Sequence, residues 1–225
     1  MKSFLLKNSI GVIGVPTLFN FSKINNDNIL VQRIFCRSID ILHWHCNNKF
    51  SEMTVLLIAR DLISIPKEVH KKVILNKDLK PGNICYDSFH DNNKKLLSTI
   101  NIVDFGLAEK FSYENLRKNN SKNYQYFVGT PMFTSSAALS GIAQHPKDEL
   151  ESIFYILIYL KSGQLPWVKN QNNNNNKNIY LNEILMMHKN TPLSVLFDGF
   201  CHDVPFLFKT IKNLMISLIM ICKFK

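Results

Sequence analysis

The amino-acid sequence predicts an α+β fold that is mainly helical. Between residues 52 and 70 the apolar side chains recur at helical spacing, with Ser51 as a plausible N-cap and Pro66 as a cause of kinking or shortening. Residues 150–160 are apolar on nearly every side, which is typical of a helix buried within a large helical lobe. The pair Ser162-Gly163 ends that helix. We expect it to be the deepest element of the fold.

The strands in this prediction are few and short. Residues 29–31 and 34–35 indicate a short buried strand that runs into a linker. Residues 84–86 and 100–103 indicate two further strands around a polar turn at residues 87–95. A sheet-dominated core is therefore not expected.

Length, composition and charge narrow the class of protein. The chain of 225 residues suits one large domain or an incomplete two-lobed one, and 46% apolar and 11% aromatic residues exclude a disordered chain. A formal charge of +10 favours anionic partners such as a nucleotide, an acidic peptide, nucleic acid or anionic lipid. Because no run of five basic residues occurs, no nucleic-acid partner is expected.

The five cysteines form no C-x-x-C pair and are odd in number, which indicates reduced thiols in a cytoplasmic or nuclear protein. His43, His45 and Cys46 could be drawn as a metal site, but no second cluster matches them. We therefore expect no metal at these three residues.

Neither end of the chain predicts a membrane span. The first residues make a poor signal peptide, and the apolar stretch at residues 214–222 is too short to cross a bilayer. A buried or amphipathic C-terminal helix is the preferred interpretation, with a membrane-surface tail as the alternative. Residues 170–178, with five consecutive asparagines, indicate a solvated loop.

Two sequence motifs, spaced along the chain, together predict a catalytic site. The segment DLKPGN at residues 78–83 is followed, twenty-one residues after Asn83, by DFG at residues 104–106, and later by Gly129-Thr130. An acid, a lysine and an asparagine in one loop, with a second acid at a strand end, can orient a hydroxyl and hold Mg²⁺ against a triphosphate. A simple turn with its corner at Pro81-Gly82 would explain neither the DFG segment nor the interval.

Each side chain of that pair has a role in phosphoryl transfer. Asp78 could accept the proton of an incoming hydroxyl, and Lys80 could meet the transferred phosphoryl group. Asn83 and Asp104 each offer a hard oxygen to Mg²⁺. We expect Asp78, Asn83 and Asp104 to converge on one cleft.

From residue 14 to about residue 200 the chain resembles the eukaryotic protein kinases, and among them most closely casein kinase I. Segments similar to those of the family are GVPTL at 14–18, CRSIDIL at 36–42, KFS at 49–51, TVLLIA at 54–59 and residues 191–200. Four further matches are similar to that branch: GT at 129–130, GI at 141–142, DELES at 148–152 and LPW at 165–167.

The resemblance implies a protein kinase fold and assigns roles to residues. Residues 1–35 would be a remnant of the small β lobe and the hinge strand, residues 36–205 the mainly helical large lobe, and residues 206–225 a divergent C-terminal helix or tail. Asp78 would be the catalytic base, with Lys80 on the phosphoryl group and Thr130 steadying both.

The resemblance also implies the ligands and the reaction. ATP would bind with its adenine against the backbone of Phe35 and above Cys85 and Val103, while Asn83 and Asp104 bind Mg²⁺. The implied reaction is transfer of the γ-phosphate of ATP to Ser or Thr hydroxyls of a protein substrate. A monomer is expected.

The sequence departs from the family pattern in ways that bear on activity. It contains no G-x-G-x-x-G loop and no V-A-I-K lysine, and Lys2 stands near the position of the helix glutamate. Asn76 and Lys77 replace the loop histidine and arginine before the base. Glu149, in place of the large-helix acid that braces the catalytic loop, is one methylene longer. Met132 replaces an arginine associated with acidic substrates.

Three functions stay open on these residues. The first is a protein kinase whose small lobe is incomplete here, as in an incomplete gene model, so that this truncated chain alone is weak or inactive. The second is a pseudokinase fragment that binds protein partners. The third is a small-molecule phosphotransferase of the antibiotic-kinase type, which shares a D-x-x-x-x-N loop but is disfavoured by residues 111–133 and the LPW segment.

Overall fold

The computed structural model describes residues 11–25, 27–90, 96–112, 127–168 and 177–213. Several sequence predictions lie outside these residues: Lys2, the apolar stretch at 214–222, most of the asparagine-rich loop, the end of the polar turn, and the middle of the 111–133 segment.

The described elements follow one another as two strands, two helices, four short strands and five helices. Their bounds are β1 Leu18–Ile24, β2 Asp27–Gln32, α1 Ile39–His45, α2 Glu52–Lys71, β3 Ile74–Leu75, β4 Ile84–His90, β5 Leu96–Ile102, β6 Glu109–Lys110, α3 Ser136–Leu139, α4 Pro146–Ser162, α5 Lys177–Asn190, α6 Leu193–Leu196 and α7 Asp203–Asn213. Two 3₁₀ turns, Pro81–Asn83 and Pro131–Phe133, lie between them.

Among the described residues the strands form three two-stranded antiparallel sheets: β1 with β2, β3 with β6, and β4 with β5. In the first sheet Ser22 lies opposite Ile29, and in the last Ile84 lies opposite Ile102. The prediction of strands at 84–86 and 100–103 is confirmed, although both strands are longer than expected.

The prediction of a buried strand around residue 30 is wrong in its burial. Residues 29–31 do lie in β2, but Leu30 is 42% exposed and Val31 44% exposed. The physical reason is that the β1–β2 hairpin packs little against the rest of the described chain, so each of its faces stays largely open to solvent. Ile34, expected to continue this strand, lies beyond its end and is also exposed.

Helix α2 begins as predicted, because the Ser51 hydroxyl accepts a hydrogen bond from the backbone N–H of Thr54 at 3.2 Å. Pro66 does not shorten it: the helix continues to Lys71. Pro66 is buried on the same face as Val55 and Leu62, which have no exposed surface. Tertiary packing therefore overrides the lost backbone hydrogen bond.

Helix α4 is the centre of the helical core, as the sequence predicts. Ile153, Ile156 and Leu160 are fully buried, and Gly163, with φ of 85°, closes the helix in the left-handed conformation. Helices α2 and α7 pack against α4. This arrangement makes the helical part of the chain one hydrophobic unit.

Helix α7 crosses the proposed boundary between residues 205 and 206. Phe208 is 1% exposed and Ile211 is 8% exposed, and the Phe208 ring lies 5.2 Å from that of Phe154 on α4. Phe208 and Ile211 thus belong to the same hydrophobic core as α4. No helix in the described part of the chain is long and apolar enough to cross a membrane.

Candidate active site

Asp78 lies in the loop between β3 and the first 3₁₀ turn and is 8% exposed. Its Oδ1 accepts a 2.7 Å hydrogen bond from the Thr130 hydroxyl, and its Oδ2 accepts one of 2.9 Å from the Lys80 ammonium. Each carboxylate oxygen therefore has a donor that fixes its direction. The structure brings together the three residues that the sequence assigned to the catalytic step.

Asn83 ends the 3₁₀ turn and is buried beside Asp78. Its Nδ2 donates to the backbone carbonyl of Asp78 at 3.0 Å and to Asp78 Oδ2 at 3.3 Å. Because the amide nitrogen is turned to Asp78, the amide oxygen is the atom that Asn83 offers to a cation.

Asp104 follows the end of β5 and is tied to the same loop from two directions. The backbone N–H of its neighbour Val103 donates to the Asn83 carbonyl at 2.8 Å, and Asn76 Nδ2 donates to the Asp104 carbonyl at 3.1 Å. Asp104 has φ of 60°, and its Oδ1 accepts from the Gly106 N–H at 2.9 Å. These contacts hold the backbone of Asp104, an exposed residue, against the loop that carries Asn83.

The oxygens gathered here suit a hard divalent cation. A carboxylate from Asp104 and an amide oxygen from Asn83 are ligand types that Mg²⁺ accepts, and the loop that carries Asn83 also holds a second acid, Asp78. The chemistry of the donor set thus fits Mg²⁺ bound to a phosphate chain.

Asn76, noted in the sequence only as a departure from the family pattern, links the two segments that carry Asp78 and Asp104. Its side chain joins the two acid-bearing segments: Oδ1 accepts from the Asp78 N–H at 3.0 Å while Nδ2 donates to the Asp104 carbonyl. It is 3% exposed. Its position two residues before the base was the one signal that could have indicated this.

Glu149, on the first turn of α4, braces the backbone of the catalytic loop. Its Oε1 accepts from the N–H groups of Asn76 at 2.5 Å and of Lys77 at 2.9 Å. Its Oε2 lies 2.7 Å from His70 Nε2 on α2. The extra methylene noted in the sequence therefore does not prevent the brace from forming.

Lys77 adopts a left-handed backbone conformation, with φ of 70°, between Asn76 and Asp78. Its ammonium pairs with Glu109 on β6 at 2.5 Å, and its side chain is 8% exposed. The pair ties the catalytic loop to the strand that follows the DFG segment.

The residues expected to contact the adenine lie in the segment after β2, on β4 and directly after β5. Cys85 on β4 forms an isolated antiparallel β-bridge with Ser38. The Tyr86 N–H donates to the Arg37 carbonyl at 3.1 Å. Burial raises the pKa of the Cys85 thiol. The linker residues are thus held directly against β4.

Phe35 is half-buried in that linker. The guanidinium of Arg33 lies 5.9 Å from the centre of the Phe35 ring and pairs with Asp87 on β4 at 2.8 Å. Val103 directly follows β5, and its backbone N–H donates to the Asn83 carbonyl, one residue before β4, the strand that carries Cys85. The three expected adenine contacts therefore lie on two structures that are hydrogen-bonded to each other.

The alternative metal site at His43, His45 and Cys46 is not supported: no cluster of three metal-ligating side chains occurs in the described ranges. His43 is fully buried, its Nε2 lies 3.1 Å from the Leu160 carbonyl, and burial lowers its pKa. His45 instead contacts Arg37 at 2.9 Å. His43 is a core residue that joins α1 to α4.

A buried acid, a lysine and an amide in one loop, beside an acid at a strand end, define a phosphotransferase-type site on a mainly helical α+β fold. The family model of the protein kinase domain matches residues 17–219. The chain belongs to the protein kinase family.

Proposed function

We propose that this chain is a serine/threonine protein kinase domain of the casein kinase I type, which transfers the γ-phosphate of ATP to protein hydroxyls. The observation that carries the proposal is the carboxylate of Asp78, held on one oxygen by Thr130 and on the other by Lys80. The DELES and LPW segments, at 148–152 and 165–167, support the casein kinase I branch.

In this mechanism the chain positions the reactants. The substrate hydroxyl attacks the γ-phosphorus, the bond to ADP breaks, and Asp78 takes the hydroxyl proton. Lys80 lies beside Asp78, where it can contact the transferred group. Bound Mg²⁺ neutralises charge on the phosphates, and Asn83 and Asp104 are the residues that would hold it.

The adenine would lie between the segment that contains Phe35, after β2, and the surface formed by Cys85 and Val103. The backbone of Phe35 offers hydrogen-bonding groups, while Cys85 and Val103 supply the surface beneath the base. The isolated antiparallel β-bridge between Ser38 and Cys85 supports this assignment, because it fixes the segment after β2 relative to β4.

The 225 residues contain neither the G-x-G-x-x-G motif nor the V-A-I-K lysine that hold the triphosphate in line in the kinase family. Precise positioning can contribute about 7–11 kcal/mol to such a reaction. We therefore expect the chain assayed alone to bind ATP weakly and to transfer phosphate very poorly. This expectation keeps a partner-binding pseudokinase as the second candidate.

A small-molecule phosphotransferase is the weaker alternative. Trp167, in the LPW segment, donates its Nε1–H to the Met132 carbonyl at 2.8 Å, two residues after Thr130. The segment at Met132 is thus anchored close to Asp78. This favours a protein substrate, since a fixed segment offers a surface against which a peptide can bind.

Two measurements on the purified chain test the proposal. Binding of Mg·ATP by calorimetry should be weak but measurable and should fall in Asp104→Asn. Transfer of radiolabel to casein should be slow and should disappear in Asp78→Asn, whereas Asp198→Asn, the same change at an exposed site, should leave it intact.

The outcomes separate the candidates. Mg·ATP binding without any transfer would support the pseudokinase, and transfer to an aminoglycoside but not to casein would support the small-molecule enzyme. Transfer to casein that survives Asp78→Asn would overturn the assignment of the base.

A further inference from the structure

Three acids on the first two turns of α4 are buried, and each holds a different segment of the chain. Glu149 holds the catalytic loop, as described above. Asp148 and Glu151 point to the segment that begins at Thr130. The DELES motif at 148–152 therefore attaches to one helix both the loop that carries Asp78 and the segment that carries Thr130.

Asp148 accepts from the Ser135 hydroxyl at 3.0 Å through Oδ1 and from the His145 N–H at 2.7 Å through Oδ2. Burial raises its pKa to about 6. Ser135 in turn caps α3, since its hydroxyl accepts from the Ala138 N–H at 3.2 Å. One end of the segment is thus attached to α4 by a single hydroxyl.

Glu151 makes the stronger attachment. Its Oε1 accepts from the Ser136 N–H at 3.1 Å, from the Ser136 hydroxyl at 2.9 Å and from the Tyr155 hydroxyl at 2.5 Å. The Lys212 ammonium on α7 lies 3.4 Å from the same oxygen. Burial acts to raise the pKa of Glu151, but the charge of Lys212 and these hydrogen bonds outweigh it and lower the pKa.

His188 on α5 borders the same cluster but does not supply its positive charge. Its Nδ1 lies 3.2 Å from the Ser136 hydroxyl and 3.4 Å from that of Tyr155, and its ring packs 4.1 Å from that of Trp167. Burial lowers its pKa to about 4, so it is neutral near pH 7. Lys212 is thus the cation that the described contacts place against Glu151.

Between Thr130 and Ser136 the segment is held by its own hydrogen bonds. The Thr134 hydroxyl donates to the Thr130 carbonyl at 2.8 Å. Movement of Ser136 away from Glu151 would therefore be transmitted to Thr130, whose hydroxyl fixes Asp78 Oδ1.

We propose that Lys212 is a positioning residue for the site: by pairing with Glu151 it keeps Ser136 attached to α4 and so fixes the segment that presents Thr130 to Asp78. Without Lys212, the Glu151 carboxylate, whose side chain is 9% exposed, would be buried without a counter-charge, and such a group takes up a proton or turns to solvent. The link to catalysis rests on the proposed function; the link to the segment does not.

The test is hydrogen exchange, by mass spectrometry, in peptides covering residues 127–141. Lys212→Met should make amides of this segment exchange about tenfold faster, because a charge-assisted attachment is lost. The matched control is Lys209→Met, the same change at an exposed position of the same helix, which should leave the segment unchanged. Lys212→Arg should restore slow exchange.

A double variant covers the case in which Lys212→Met unfolds the chain. Glu151→Gln with Lys212→Met removes both charges, so it should fold and still exchange faster than wild type at 127–141. If Lys212→Met or the double variant folds and its amides at residues 127–141 exchange as slowly as those of Lys209→Met, the proposal is overturned.

Activity provides a second readout. In Lys212→Met, kcat for casein should fall at least about tenfold while the KM for Mg·ATP stays unchanged, since the nucleotide contacts lie elsewhere. A rise in that KM without a fall in kcat would contradict a positioning role. If the wild-type chain shows no transfer at all, the proposed function fails, but the exchange result still decides the role of Lys212.

Discussion

Glu149 and Asn76 lie 73 positions apart in the chain, yet the Glu149 carboxylate accepts the Asn76 backbone N–H at 2.5 Å. The same carboxylate lies 2.7 Å from His70, so three segments meet on one buried side chain. The backbone of the loop before Asp78 is therefore fixed in part by α4, in addition to the contacts that the loop makes itself.

We expect Glu149→Gln to lower the free energy of unfolding by about 2–3 kcal/mol, because an amide loses the charge-assisted bonds and turns its NH₂ group towards a donor. Urea unfolding measures this change. The control is Glu68→Gln, at an exposed ion pair with Lys71, which should cost less than about 1 kcal/mol. Equal losses in the two variants would show that Glu149 is not a brace.

Gly129 tests how closely the Thr130 segment approaches the catalytic loop. Its φ is 114°, and a Cβ there would lie 2.7 Å from the Lys77 carbonyl, which is backbone and cannot move aside. Gly129→Ala should therefore cost about 1–3 kcal/mol of stability. Gly82→Ala, where a Cβ meets nothing within 4 Å, should change stability by less than about 1 kcal/mol in the same thermal melts.

Asn76→Asp keeps the acceptor for the Asp78 N–H but removes the donor to the Asp104 carbonyl. If the proposed Mg²⁺ site is correct, this variant should bind the metal about tenfold more weakly, as expected for a residue that orients a ligand. Titration with Mn²⁺, followed by electron paramagnetic resonance, measures the affinity. Asn190→Asp, the same change at an exposed helix end, should have no effect.

His188 makes a pH-dependent contribution to stability. Its pKa of about 4 in the folded chain lies below its ordinary value of 6.5, so the unfolded chain takes up the proton first. Its contribution is present above about pH 6.5 and is lost as the pH falls towards 4. Asp148, with a pKa of about 6, acts in the opposite direction, because the folded chain holds its proton more tightly.

The variant His188→Asn isolates the histidine. Its stability relative to wild type should improve by up to about 3 kcal/mol between pH 6.5 and pH 4. The difference in unfolding free energy between the two proteins, measured in urea at several pH values, gives this change directly. A difference that does not vary with pH would mean that His188 can be protonated inside the folded chain.

The sequence was sufficient for those parts of the site that depend on local spacing. Asp78, Lys80 and Asn83 are placed by one short turn, and α4 was recognisable because it is apolar all round. The position of the Glu149 brace was implied only by the family resemblance, and the pair of Glu151 with Lys212 was not predicted, since both depend on how distant helices dock. The absence of shortening at Pro66 and the exposure of β2 were not foreseen for the same reason: burial is decided by neighbours that periodicity does not reveal.

The β1–β2 hairpin has a consequence for how the protein behaves in solution. Phe19 is 65% exposed and Ile24 55% exposed, and within the described ranges neither strand has a second neighbour. A lone two-stranded hairpin is marginally stable, and its free edges are templates for pairing between chains. Preparations of this chain should therefore lose monomer as concentration rises, through edge-to-edge pairing of hairpins from different chains, while the helical core remains intact.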